Sequence, residues 1–186
     1  MVKLPAFQAA VLVHIFEKAP VADTADTLDF RFRGEFTETF YAAHVALNEA
    51  SGYLNSSLVL TLATHSDIVF MGVTESRQVE VARALGSLED YDRESRAIST
   101  GDVVRTPDPH FAALGLHAVV LLRPAVLSGF EVFGDCWTIK NRHLRFVLAL
   151  FLTEEEYSFR KSQGHDALMD RFSEESRSVV IFPRAP

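Results

Sequence analysis

The sequence predicts a single α+β domain, with helices near its start, middle and end around a mixed or mainly antiparallel sheet, and three observations carry that prediction. The first is Phe146 to Leu152, an unbroken apolar run of seven residues. It is too short to cross a membrane and has the length of a strand buried on both faces. The second is the stop that follows it. Thr153 with Glu154, Glu155 and Glu156 has the form of a capping box, in which the hydroxyl accepts from the amide of Glu156 while that carboxylate reaches back to the amide of Thr153. The third is the strict alternation from Leu28 to Arg33, where Leu28, Phe30 and Phe32 oppose Asp29, Arg31 and Arg33, the period of a half-buried strand.

Taken in order, Pro5 at a first helical position, followed by Phe7, Val11, Leu12, Ile15 and Phe16, predicts an amphipathic helix ending near Ala19 and Pro20. Val21 to Thr27 reads as a short polar connection to the alternating strand, which Gly34 ends. Glu38 to Asn48 permits a strand with Phe40, Ala42, His44 and Ala46 on one face, or a helix through its alanines. The strand is preferred because Glu49 to Tyr53 is a loop of hairpin size and Ser57 to Thr64 is a second β-rich run. His65 to Asp67 is a turn, and Ile68 to Val73 a short third strand.

Thr74 is placed to cap a helix over 75–86 whose apolar face is Val79, Ala82, Leu85 and Leu88, with Gly86 ending it or kinking it toward Tyr91. Glu89 to Arg96 reads as a solvated connection. Strands follow at Asp102 to Thr106, Ala118 to Leu122, Phe130 to Phe133 and Trp137 to Ile139, separated by Pro107, Pro109, Pro124, Gly129 and Gly134. After the apolar run, the capped helix ends at Lys161 and Gly164. Asp166 then caps a short helix bearing Ala167, Leu168, Met169 and Phe172. Val179 to Phe182 suggests a last edge strand closed by Pro183. No repeat, low-complexity tract or linker divides the chain, so residues 1–186 read as one domain.

A chain of 186 residues buries roughly 70% of its unfolded surface without metals or disulfides. Hydrophobic residues at 48% against charged residues at 23% argue against global disorder. Cys136 is the only cysteine, which excludes an intramolecular disulfide and a thiolate metal cluster and suits a reducing compartment. Lys3, Leu4 and Pro5 do not open a secretion signal, and no apolar run is long enough to span a bilayer, so a cytoplasmic, soluble protein is expected. The formal charge of -7 disfavours non-specific nucleic-acid binding and favours a basic partner, though it also serves simple solubility.

Chemistry is sparse. The histidines are His14, His44, His65, His110, His117, His143 and His165, and none pairs with another at i, i+4, so neither HxxxH nor HExxH occurs. His65 with Asp67 could form a base and its orienter, but a hydrogen-bonded turn explains the same residues. No nucleophile elbow, reactive-cysteine signature or glycine-rich phosphate loop is present. Cys136 beside Trp137 reads as a small buried side chain, and Glu154 to Glu156 as helix N-terminal charges. Lys140, Arg142 and Arg145 around His143 form the one local positive patch, read as a hairpin turn facing solvent or as an anion or partner contact. Phe111 to Leu122 reads as core rather than interface.

Leu152, Thr153, Glu156, Gly164, Ala167 and Leu168 follow residue by residue the pattern in which the suppressor-of-fused domain family ends: a hydrophobic strand, a turn, an acidic capped helix and a Gly-x-x-Ala-Leu helix. Phe151 stands where that family usually has proline. Upstream, Gly101, Val104 and Pro124 fall at the family's turn, polar strand and strand end between Glu75 and Pro124. The chain therefore resembles the suppressor-of-fused family, in its compact bacterial form, over roughly the last 110 residues; the first 70 or so match nothing.

That resemblance implies a non-enzymatic protein-binding domain. Animal members bind zinc-finger transcription factors, a role not carried over to a chain of this length, and some bacterial members are thought to act as immunity proteins against toxins. The expectation is thus a cytoplasmic binding protein, with an immunity-type protein facing a basic partner or toxin as one form of it. No catalytic, cofactor or metal residue is nominated, no cofactor is expected, and the contact surface and oligomeric state stay open. The alternative is a small enzyme or ligand-binding domain whose dispersed site would use His65, Asp67, His110 and His117.

Overall fold

The computed structural model describes residues 2–31, 39–95, 98–105, 109–134 and 136–183, with the backbone alone at 31, 95, 109 and 110. Helix α1 spans Ala6–Lys18 with Pro5 as its N-cap, one position earlier than expected, and buries Val11, Leu12 and Ile15. Strand β1, Val21–Arg31, begins where a polar connection was expected. The polar residues fit a strand because β1 is the sheet's edge, pairing on one side with β2, Thr39–Leu47, through a register that shifts between Val21 and Ala25. The strand reading of β2 holds. The predicted strand end at Phe32 to Gly34 lies outside the described residues, as does Thr106.

A loop containing a 3-10 turn at Glu49–Ser51 leads to β3, Ser57–Thr61, and a sharp bend to β4, Ile68–Thr74, which is buried throughout. Thr74 caps no helix: it is the last residue of β4, and its hydroxyl bonds the carbonyl of Ser76 at 2.5 Å. Helix α2 runs instead over Gln78–Ser95, passing through Gly86 and the stretch expected to be solvated. Its buried stripe is Val81, Ala82, Leu85 and Leu88, continued by Glu89 and Asp92, whereas Val79 is 44% exposed. The helix persists because that stripe lies on the sheet, where packing outweighs the modest propensity cost of one glycine.

The remaining elements are β5, Val103–Arg105; α3, Pro109–Ala113; β6, Ala118–Leu122; 3-10 turns at Pro124–Val126 and Glu131–Gly134; β7, Trp137–Ile139; β8, Arg142–Leu152; α4, Glu154–Gln163; and α5, His165–Glu174. Phe130 to Phe133 is therefore no strand. Phe130 and Phe133 are both buried, and a three-residue period turns both inward where a two-residue period could not. The capping box at Thr153 and Glu156 forms as expected, but Asp166 caps nothing: Gly164, at φ 96°, makes the boundary, and Asp166 lies in the first turn of α5. The C-terminal segment contributes a single parallel bridge, Val73 to Val180, rather than a strand. Cys136, one residue ahead of β7, is exposed, not buried.

The sheet order is β1-β2-β3-β4-β8-β6-β5, with β7 paired to β8. Among the described strands only β4 and β8 run parallel; the other pairings are antiparallel. Phe70, Val119, Val147 and Phe151 point to the face covered by α2, while Val69, Met71, Val120, Leu148 and Leu150 point to the face carrying α1, α5 and the phenylalanine-rich turns. Covering both faces explains why β8 is apolar at successive positions instead of alternating. Phe111 stacks on Phe151 at 4.9 Å, so Phe111 is core.

Candidate functional site

The bend between β3 and β4 sets His65, Ser66 and Asp67 against the C-terminal turns of α2 and the start of β8. A polar cleft of about 280 Å³ results, lined also by Asp92, Arg93, Arg142 and Arg145. Two of the residues named for the alternative dispersed site, His65 and Asp67, thus share one cleft. They do not form a base and orienter pair. The His65 ring donates through Nε2 to the carbonyl of Thr39 at 3.1 Å, and Asp67 takes two bonds on Oδ1 from Arg142, at 3.1 and 2.8 Å.

Arg142 does more than hold Asp67. Its guanidinium also reaches the carbonyls of Ala63 and Ser66, at 3.1 and 2.9 Å, and lies 4.2 Å from the Phe7 ring of α1. The expected positive patch is therefore partly consumed in clamping a loop, which suits the planar, five-donor geometry of arginine. The turn before it fits the hairpin reading, with Lys140 and Asn141 at φ 46° and 67°.

Beneath the cleft two acids of α2 close the same loop. Asp92 accepts from the Ser66 hydroxyl at 2.6 Å, and Ser66 in turn accepts the amide of Ile68 at 2.9 Å. Glu89 accepts the amide of His65 on Oε1 at 2.5 Å, while its Oε2 is buried with no hydrogen bond. Burial pushes the Glu89 carboxyl up to about 7, against the His65 amide and the polar groups of Thr61, Thr64 and Ser66, which favour the charged form. Sequence reading missed both acids. The signal was present as the 3.6-residue stripe through Ala82, Leu85, Glu89 and Asp92, but charge was read as solvation.

The two histidines named with them for the alternative site are elsewhere. His117 stands at the far end of β8, where its amide bonds the carbonyl of Leu152 and its ring is 3.5 Å from Glu154. That is roughly 20 Å from the cleft, at ~3.3 Å per strand residue from Arg145 to Leu152. The side chain of His110 lies outside the described residues. Among the described residues, no group of three or more His, Cys, Asp or Glu side chains is arranged to hold a metal. No helix among them is long and apolar enough to cross a membrane.

At the C-terminal end of β8 the segment that carried the sequence resemblance is tied together. Arg177 donates to Glu156 at 2.9 Å and to the carbonyl of Phe151 at 3.0 Å, joining the capping box, the strand end and the chain after α5. Phe151 sits within the β6–β8 ladder opposite Val119.

This arrangement of one mostly antiparallel sheet, its central strand leading into a capped helix pair, is the suppressor-of-fused-like fold. The chain superposes on the crystal structure of a suppressor of fused homolog from Neisseria gonorrhoeae FA 1090 with a TM-score of 0.69 at 17% identity, covering 96% of this chain and 95% of that one. A Sufu–Fu complex structure aligns with a TM-score of 0.48 at 9% identity, over 96% of this chain and 89% of that one. No family model and no curated protein matches the chain.

Proposed function

We propose that residues 1–186 act as one non-catalytic domain that binds a protein partner in the cytoplasm, and that the partner is basic, as for an immunity-type protein that neutralises a toxin. The observation that carries this reading is the suppressor-of-fused-like fold extending over 96% of the chain. The formal charge of -7 supports a basic partner, because complementary charge speeds encounter and penalises acidic competitors. The rival reading, a dispersed histidine and aspartate site, is not favoured: the His65 ring and Asp67 hold loop and strand, and His117 lies at the opposite end of β8.

The test is recovery of the tagged protein from native lysate at low and high salt. A basic protein in stoichiometric amount, released as salt rises, is the expected result. Recovery of the protein alone at both salts would count against a constitutive tight partner.

A further inference from the structure

Between α1 and the edge strand β1 lies a second concavity, a slot of about 400 Å³. Its walls are mostly hydrocarbon, from Leu4, Ala9, Leu12, Phe16, Ala25 and Thr27. The Thr27 hydroxyl donates to the carbonyl of Val2 at 3.2 Å, which ties the chain ahead of α1 to β1 beside the slot.

The rim of this slot is acidic. Asp23 lines it directly, and Asp29 shares a strand face with Ala25 and Thr27, because the β1 register is unbroken from Ala25 to Arg31 and alternate residues point the same way. Both residues are exposed, and neither carboxylate has an ion-pair partner among the described residues. At ~3.3 Å per residue they stand roughly 20 Å apart. The surface is thus apolar in the middle with, toward each end, a carboxylate that has no ion-pair partner among the described residues.

We propose that this slot docks a basic–apolar–basic segment of a protein partner. The proposal rests on the protein-binding reading above and gives it a surface and a partner chemistry. Apolar side chains of the segment fill the slot, and a lysine or arginine on either side meets Asp23 and Asp29. An acidic segment or an anionic lipid surface is repelled by the two carboxylates. A second copy of this chain is disfavoured for the same reason, since each copy carries a formal charge of -7.

The probe is a fluorescently labelled peptide, Lys-Lys-Ser-Leu-Phe-Leu-Ser-Lys-Lys, titrated into the full chain by anisotropy and by amide chemical-shift mapping. The controls are a peptide with serine replacing the three apolar residues and one with glutamate replacing the lysines. Two variants are compared: Asp23→Lys with Asp29→Lys, both exposed positions, and Ala9→Leu, which extends a side chain into the slot while keeping the charge. Spectral dispersion checks that each is folded. The expected result is saturable binding with shifts confined to residues 2–29, weakened about tenfold by the charge reversal and also weakened by Ala9→Leu.

Equal binding of the serine control, shifts located elsewhere, or undiminished binding by both variants would overturn the slot. If the charge-reversed protein recovers the same lysate partner as wild type, the slot falls while the protein-binding reading stands. If wild type recovers no partner at either salt and the peptide does not bind, both fall.

Discussion

Glu89 is buried with one oxygen bonded and the other bare, so its protonation is coupled to folding. Its carboxyl titrates near 7 in the folded chain against an ordinary value of 4.5. Between those values the folded protein holds a proton that the unfolded chain has released. The contribution to stability is therefore complete below about pH 4.5 and is lost as pH rises to about 7, a change of about 3 kcal/mol. Glu89→Gln keeps an acceptor for the His65 amide and removes the titration. Urea melts of wild type and variant should therefore diverge between pH 4.5 and 8, the variant gaining stability relative to wild type by up to about 3 kcal/mol. A constant difference across that range would show that Glu89 does not titrate there. Gly129 gives a second residue-level test. It has φ 80°, and a Cβ there would meet the Pro20 ring at 2.8 Å, whereas Gly52 has φ 74° and open space. Gly52→Ala should cost about 1 kcal/mol for its backbone alone, and Gly129→Ala about 1 kcal/mol more because a proline ring cannot rotate away. Equal losses by denaturant titration would mean that the contact is relieved by small shifts.

Among elements, the stretch from β8 to α5 was the most legible, because its instructions are local. An apolar run, a threonine and a glutamate three residues on specify strand, cap and helix without help from elsewhere, and the capping box is present with both of its bonds, at 2.8 and 3.2 Å. Thr153→Ala should lower stability by about 1 kcal/mol and fray α4 first, seen as early loss of amide protection at Glu156 and Tyr157. α2 was the least legible. Its apolar face ends at Leu88, and the two acids that prolong the stripe find partners only when the loop between β3 and β4 folds over them. β1 was misread for a related reason: a polar edge strand has no inward face strong enough to show in the sequence, and its pairing with β2 supplies what its side chains do not.

At the scale of the molecule, β8 is the axis. It pairs with β4, β6 and β7, and both of its faces are covered. Amides of β4, β6 and β8 should therefore be the slowest to exchange, with β1 and β5 opening earlier as the two ends of the strand order. Uniform exchange across the sheet would contradict a stability gradient centred on β8. The same layout separates the two concave surfaces. The polar cleft lies at the start of β8, and the apolar slot lies beside α1 at the opposite edge from β5.

The α+β class, the buried strand of residues 146–152, the capped helix after it and the hairpin preference of β2 and β3 were all legible in the order of residues alone. Each depends on neighbours within a few positions, where periodicity, capping and turn chemistry act. Contacts across the fold were needed to show that α2 continues to Ser95, that Phe133 lies on a 3-10 turn beginning just after Phe130, that His65 and Asp67 share a cleft without pairing, and that Asp23 lines an apolar slot beside α1. Those outcomes join residues distant along the chain, such as Asp67 with Arg142 and Glu89 with His65. Whether a buried acid or a polar strand is favourable depends on partners that sequence periodicity does not encode.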